Sequence, residues 1–132
     1  MNVEVFCLCD AATENSGKLN ILGAFDTIML AKVPGVHYQC AVVVRVRFSA
    51  AELGIHQVAV NFVDADGNHL VPSACGTLSV STAGSANLIL NLQRLVIPKF
   101  GDYAIDLTIN GVHVSTLPLF VTVEESSKPK NC

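Results

Sequence analysis

Apolar side chains recur at every second position along most of this chain. Cys40, Val42, Val44, Val46 and Phe48 alternate with Ala41, Val43, Arg45 and Arg47, and Val58, Val60 and Phe62 alternate with Gln57, Ala59 and Asn61. Leu88, Leu90 and Leu92 repeat the period, as do Tyr103, Ile105, Leu107 and Ile109 between Asp102, Asp106 and Thr108. Spacing two places one set of side chains on each face of an extended strand, so each run reads as an antiparallel strand with one buried face. Turn chemistry separates the runs. Asn110-Gly111 suits a type I′ hairpin turn, Asp64-Ala65-Asp66-Gly67 suits a type I turn closed by a left-handed glycine, and Glu14-Asn15-Ser16-Gly17 separates the first two strands. Between Val112 and Val123 the apolar parity changes and Pro118 removes a donor, which predicts a bulge or edge position near Ser115 to Pro118. The one helical candidate, Ser49 to Gly54, is long enough for a single turn. Eight or nine strands with no covering helices predict an all-β, two-sheet antiparallel β-sandwich. Residues 1–123 read as one domain. Residues 124–132 are polar, contain Pro129, and read as a flexible C-terminal tail.

Composition narrows the function classes. The 132 residues are 51% hydrophobic and only 14% charged, so the chain has ample material for a core. The net charge is −3 and the eight Lys and Arg are scattered, which argues against nucleic acid or an acidic membrane surface as partner. The apolar run from Cys40 to Val44 is far shorter than the roughly 20 residues of a membrane helix. No basic segment precedes an apolar stretch near Met1, and the five cysteines are odd in number without framework spacing. Reduced thiols in a cytoplasm are therefore expected.

Two stretches carry resemblances. Leu95-Val96-Ile97-Pro98-Lys99-Phe100-Gly101-Asp102-Tyr103-Ala104-Ile105 resembles the corner of immunoglobulin-like domains, in which the tyrosine hydroxyl is held by nearby backbone. There is no tryptophan, and Ile105 stands where antibody domains have a cysteine, so the resemblance implies architecture alone: an immunoglobulin-like sandwich. Phe6-Cys7-Leu8-Cys9-Asp10-Ala11-Ala12 and Gly17-Lys18-Leu19-Asn20-Ile21-Leu22-Gly23-Ala24-Phe25-Asp26, with Leu117-Pro118-Leu119, are similar to an uncharacterised bacterial family of small cytoplasmic proteins. That resemblance covers nearly the whole chain. It implies a bacterial origin and no activity or functional residue.

The candidate chemistry is sparse. Cys7 and Cys9 fall on one strand face about 7 Å apart, but no further Cys-x-x-Cys supplies two more ligands, so core packing is the expectation for them and for Cys40 and Cys75. Cys132 is expected to be an exposed thiol. Asp64 to His69 opens like a calcium loop, yet its glycine comes fourth and no glutamate closes it. His37, His56, His69 and His113 have no zinc spacing and read as rim residues. Arg45 and Arg47 share one wet strand face and are the candidate anion site, although pairing with Asp102 and Asp106 on a neighbouring strand is the plainer expectation. No cofactor or metal is expected, and no nucleophile elbow or phosphate loop is present.

The leading functional expectation is a non-enzymatic interaction module that self-associates, as a homodimer or with another protein; the alternative is a small-ligand or carbohydrate-binding sandwich. The first hairpin carries the argument. A turn at Thr13 to Gly17 would pair Leu8 with Leu22 and Phe6 with Ala24, placing Val3, Val5, Cys7 and Cys9 with Leu19, Ile21 and Phe25 on the inner wall. The outward face would then carry Phe6, Leu8, Leu22, Ala24, Ile28 and Leu30, too apolar to be left to water. A partner copy would cover it, unless the chain's own loop or tail folds over it or a bulge near Gly23 changes the register.

Overall fold

The computed structural model of the chain describes residues 1–70 and 74–124. Nine strands follow in order: β1 (Asn2–Asn15), β2 (Lys18–Ala24), β3 (Thr27–Leu30), β4 (Gly35–Phe48), β5 (Gly54–Asp64), β6 (Ala74–Val80), β7 (Gly84–Ile97), β8 (Gly101–Ile109) and β9 (Val112–Val123). A single 3-10 turn, Ala50–Glu52, lies between β4 and β5. The strands form a four-stranded sheet, β2-β1-β4-β7, and a five-stranded sheet, β3-β9-β8-β5-β6. The two-sheet β-sandwich of the sequence reading is therefore the fold. All pairs are antiparallel except β3 with β9, where Thr27 to Leu30 run parallel to Phe120 to Val123.

The alternating runs do what their period requires. Val42, Val44, Val46 and Phe48 of β4 share one apolar core with Val60, Phe62, Ile105 and Leu107 of the opposite sheet. Asn110 and Gly111 take φ of 53° and 80°, both positive as a type I′ turn demands, and Ile109 pairs with Val112. Gly67 has φ 83° and donates its N–H to Asp64 O at 3.0 Å. The β9 bulge lies slightly earlier than expected, opposite Leu107 and Thr108, whose partners are Ser115 and His113, so that Val114 is the extra residue. Pro118 sits on the part of β9 that β3 does not reach. Tyr103 is buried and its hydroxyl donates to Lys99 O at 2.5 Å, the corner that the Gly-Asp-Tyr turn foretells.

The first hairpin departs from the expected register. Its turn is only Ser16-Gly17, with φ of 52° and 77°, so Asn15 pairs with Lys18, Ala11 with Leu22 and Cys9 with Ala24. The shorter turn moves β2 along β1 and reverses the assumed faces. Leu8 is in the core, with Phe6 and Val3 packed against it, while Val5, Cys7 and Cys9 point out of the sandwich. Val3 lies inside because a bulge at Glu4 sets both Glu4 and Val5 near Arg45 and inverts the parity of the first residues.

The outward face of the four-stranded sheet is also partly covered. Ala41, Val43 and Cys9 are fully buried there and are packed by Val5, Cys7 and Ile89 of the sheet and by Ala12 and Leu19 of the hairpin. β1 pairs with β4 only as far as Cys9. Beyond it the hairpin of residues 10–23 folds back as an arm across its own sheet, until Gly17 O at the tip accepts from Arg45 Nη1 (3.2 Å) and Asn87 Nδ2 (3.1 Å). Binary patterning fits this position. By register Ala12, Glu14, Leu19 and Ile21 share the arm's inner face, where Ala12 and Leu19 pack on the sheet, and Ala11, Thr13, Asn15, Lys18, Asn20 and Leu22 share the outer one.

Candidate functional site

The structure separates the six residues of the expected interface. Leu8 and Ile28 are buried in the core, and Phe6 and Leu30 are half-buried against it. Ala24 is exposed, and Leu22 stands 70% exposed on the arm's outer face. A single outward face made of all six does not exist, because the register behind it is replaced by the one above. Four of them nevertheless share one side of the molecule. There, among the described residues, β1 from Asn2 to Cys7 has β4 on one flank and no strand on the other, and β9 from Val112 to Leu119 likewise has only β8.

Between these two free edges runs a groove in two parts. One part, of about 610 Å³, is bounded by Val3, Phe6, Val114 and Leu117. The next, of about 400 Å³, is bounded by Leu8, Ala24, Phe25, Leu117 and Pro118. A smaller notch of about 340 Å³ follows at the base of the arm, among Asp10, Gly23, Phe25, Ile28, Met29 and His37. His37 Nε2 is buried there and has no hydrogen-bond partner among the described residues.

Arg45 and Arg47 do share the outer face, and both are paired with a single carboxylate, Glu4. Arg45 Nε donates to Glu4 Oε1 at 3.1 Å and Arg47 Nε to Glu4 Oε2 at 3.0 Å, and Ser85 donates its hydroxyl to the same carboxylate. The Ser85 hydroxyl first, and then Arg47, hold the Glu4 carboxyl below its ordinary value. Arg45 also donates to Asn87 Oδ1 and to the arm's tip. The expected pairing with Asp102 and Asp106 is corrected: those residues lie on β8, in the other sheet. The β1 bulge explains the difference, since it aims Glu4 at both guanidiniums.

The thiols are sheltered. Cys9 and Cys40 are buried and Cys7 is half-buried; burial raises all three above the usual thiol value, Cys40 to about 11. A nucleophile or metal ligand needs the thiolate, which this environment opposes. Cys75 corrects the core expectation: it is exposed, because β6 turns Leu78 and Val80 inward and the odd-numbered positions out. Cys132 lies outside the described residues, as does the tail beyond Glu124.

At the expected turn, Asp64 Oδ1 accepts from the N–H groups of Asp66 (2.9 Å) and Asn68 (2.8 Å), and Lys99 Nζ lies 3.9 Å from Oδ2. Asp64 Oδ1 is thus engaged by backbone donors, and Oδ2 faces a lysine ammonium. Among the described residues no group of three His, Cys, Asp or Glu converges on a point. EDTA is therefore expected to leave the melting temperature unchanged, and stoichiometric zinc or calcium found by elemental analysis would refute that.

Sequence reasoning missed two clusters. His56 stacks on Phe48 with ring centroids 4.4 Å apart, bonds Glu52 O through Nε2, and meets Asn110 Nδ2 through Nδ1, tying the 3-10 turn to the β8–β9 turn. Thr116 Oγ1 donates to Asp106 at 2.8 Å and lies 2.7 Å from His113 Nε2. A threonine has one proton to give, and here it goes to Asp106, so the imidazole is the donor to Thr116 and does not act as its base. The hint in the sequence was the i, i+3 spacing of His113 and Thr116 at a strand whose parity changes.

Beside these clusters Glu52 supplies a pH-dependent feature. Its carboxyl is held at about 2, chiefly by the Ser49 N–H and next by the terminal amine of Met1 at 3.0 Å. A folded value depressed from 4.5 stabilises the fold above that value, and the contribution disappears as pH falls through about 2. Denaturant melts of Glu52→Gln should fall below wild type near neutral pH and converge with it near the acid end.

A family model described as a family of unknown function (DUF6941) matches residues 4–122. No curated protein matches the chain. No helix among the described residues is long and apolar enough to cross a membrane.

Proposed function

Because the chain belongs to this family of unknown function, no activity transfers to it from relatives, and we propose from its own geometry that it is a non-enzymatic interaction module that self-associates. The observation that carries this reading is the open side of the sandwich, where among the described residues two strand edges are unpaired and the groove between them is lined by Phe6, Leu8 and Leu117 together with Asn2, Glu4 and Ser115. Free edges and apolar floor together are what protein partners recognise by strand pairing. Leu22, exposed on the arm's outer face, adds the kind of side chain that interfaces bury.

The parallel β3–β9 pair and the tyrosine corner at Tyr103 support an immunoglobulin-like relationship, an architecture used widely for binding. A bacterial cytoplasm is the setting this reading takes, consistent with four free cysteines among the described residues. A carbohydrate site draws less support: exposed Tyr38 is on the four-stranded sheet and Phe120 on the other, so they form no shared platform.

Light scattering on a sizing column tests the reading. Wild type at tens of micromolar should run as a dimer, and Leu22→Glu should yield folded monomers. Because Leu22 is 70% exposed, glutamate there does not disturb the core. A monomeric wild type, or a Leu22→Glu protein that remains fully dimeric, would overturn it.

A further inference from the structure

We propose that two copies of this chain associate by exchanging their arms, residues 10–23, so that each arm lies across the outer face of the other copy's four-stranded sheet. The proposal rests on the self-associating reading above and gives it a mechanism. Exchange requires an element that is joined to its body at one place and whose contacts a second copy can supply unchanged. The arm meets both conditions. Its two strands leave the sandwich together at the Cys9 and Ala24 pair. Its contacts with the body are the packing of Ala12 and Leu19 on Cys9, Ala41 and Val43, and the two hydrogen bonds at Gly17 O. Every one of these surfaces exists identically on a second molecule.

The hinge is a single bend whose opening would extend an existing ladder. Closure bends β1 just after Cys9, and Gly23 accommodates the bend at φ 68°, with the Asp10 carboxylate occupying the space where a Cβ would stand. On the flank away from β7, β4 has no ladder partner from Gly35 to Cys40 among the described residues. A straightened β1 continues its existing ladder along that edge, bringing Asp10 opposite Cys40 and Ala11 opposite Gln39. In doing so it enters the notch where His37 Nε2 is now without a partner. Exchange therefore pairs an edge and fills a notch that closure leaves open, while keeping the arm's own contacts.

Leu22 fits the same account. It is the one large apolar side chain on the arm's otherwise polar outer face, and it belongs to the pair next to the hinge. In a two-fold exchanged dimer the arms cross at their hinges, so Leu22 of each copy comes to lie near the axis. This explains why a leucine stands exposed there in a single copy.

The test uses Ser16→Cys with Asn87→Cys, in a background where Cys75 and Cys132 are serine. Purified protein is oxidised and run on a non-reducing denaturing gel, beside each single variant. Exchange predicts that the double variant runs predominantly as covalent dimer, well above either single variant, in protein that light scattering shows to be dimeric. Lys18→Cys with Asn87→Cys provides a second pair should the first fail to fold. Dimeric protein whose cross-link stays within one chain overturns exchange and leaves the self-associating reading standing. Monomeric protein overturns both.

Discussion

Replacing Tyr103 by alanine is expected to cost about 4 kcal/mol, and replacing it by phenylalanine about 1 kcal/mol. The alanine variant loses a buried ring packed in the sandwich core, and it orphans the carbonyl of Lys99, which now accepts the hydroxyl proton. The phenylalanine variant loses only the second of these. Since a domain of this kind is stable by roughly 5–15 kcal/mol, the alanine change removes a large share of the total. Denaturant melts monitored by circular dichroism measure both values. A Tyr103→Ala protein as stable as wild type would mean that the corner does not hold β8 to the turn that precedes it.

A comparable loss, about 3 kcal/mol, is expected for Val43→Asp. On a sandwich with a wet outer face this substitution would be harmless, because Val43 points away from the core between the sheets. Here it is fully buried beneath the arm among apolar side chains, where a carboxylate loses its water. Two outcomes relieve the strain: the domain unfolds more readily, or the arm lifts and the sandwich survives. Limited trypsin digestion separates them, since Lys18 lies beside the arm's tip and becomes cleavable when the arm is released. A Val43→Asp protein that melts like wild type and resists trypsin at Lys18 would show that the arm does not cover the sheet.

The sandwich was legible in the sequence because its signals are local. Period two in β4, β5 and β8, Asn110-Gly111, and the Gly-Asp-Tyr corner each specify a conformation within a few residues, and the structure reproduces them. The first hairpin was not legible for an equally physical reason. Both parities of Val3 to Cys9 are apolar, so hydrophobicity alone does not choose a register, and the choice fell to the turn and to a bulge at Glu4. Ala41 and Val43 held the missing clue. They sit on the same face as Arg45 and Arg47, and two apolar residues beside two arginines mark a face that is half covered. That the hairpin itself is the cover depends on contacts between residues distant in sequence, Gly17 with Arg45 and Asn87, which no local pattern encodes.

The parallel pairing of β3 with β9 bears on how the protein is made. Thr27 to Leu30 are made well before Phe120 to Val123, their ladder partner among the described residues. β1 and β4 find each other, and β7 joins them, while synthesis is still under way, whereas one margin of the five-stranded sheet waits for the last strand. During that interval Ile28, destined for the core, has no sheet to join. β3 therefore cannot be placed until β9 has been made, and its pairing spans the greatest sequence separation of any ladder among the described residues, which makes it slow to close.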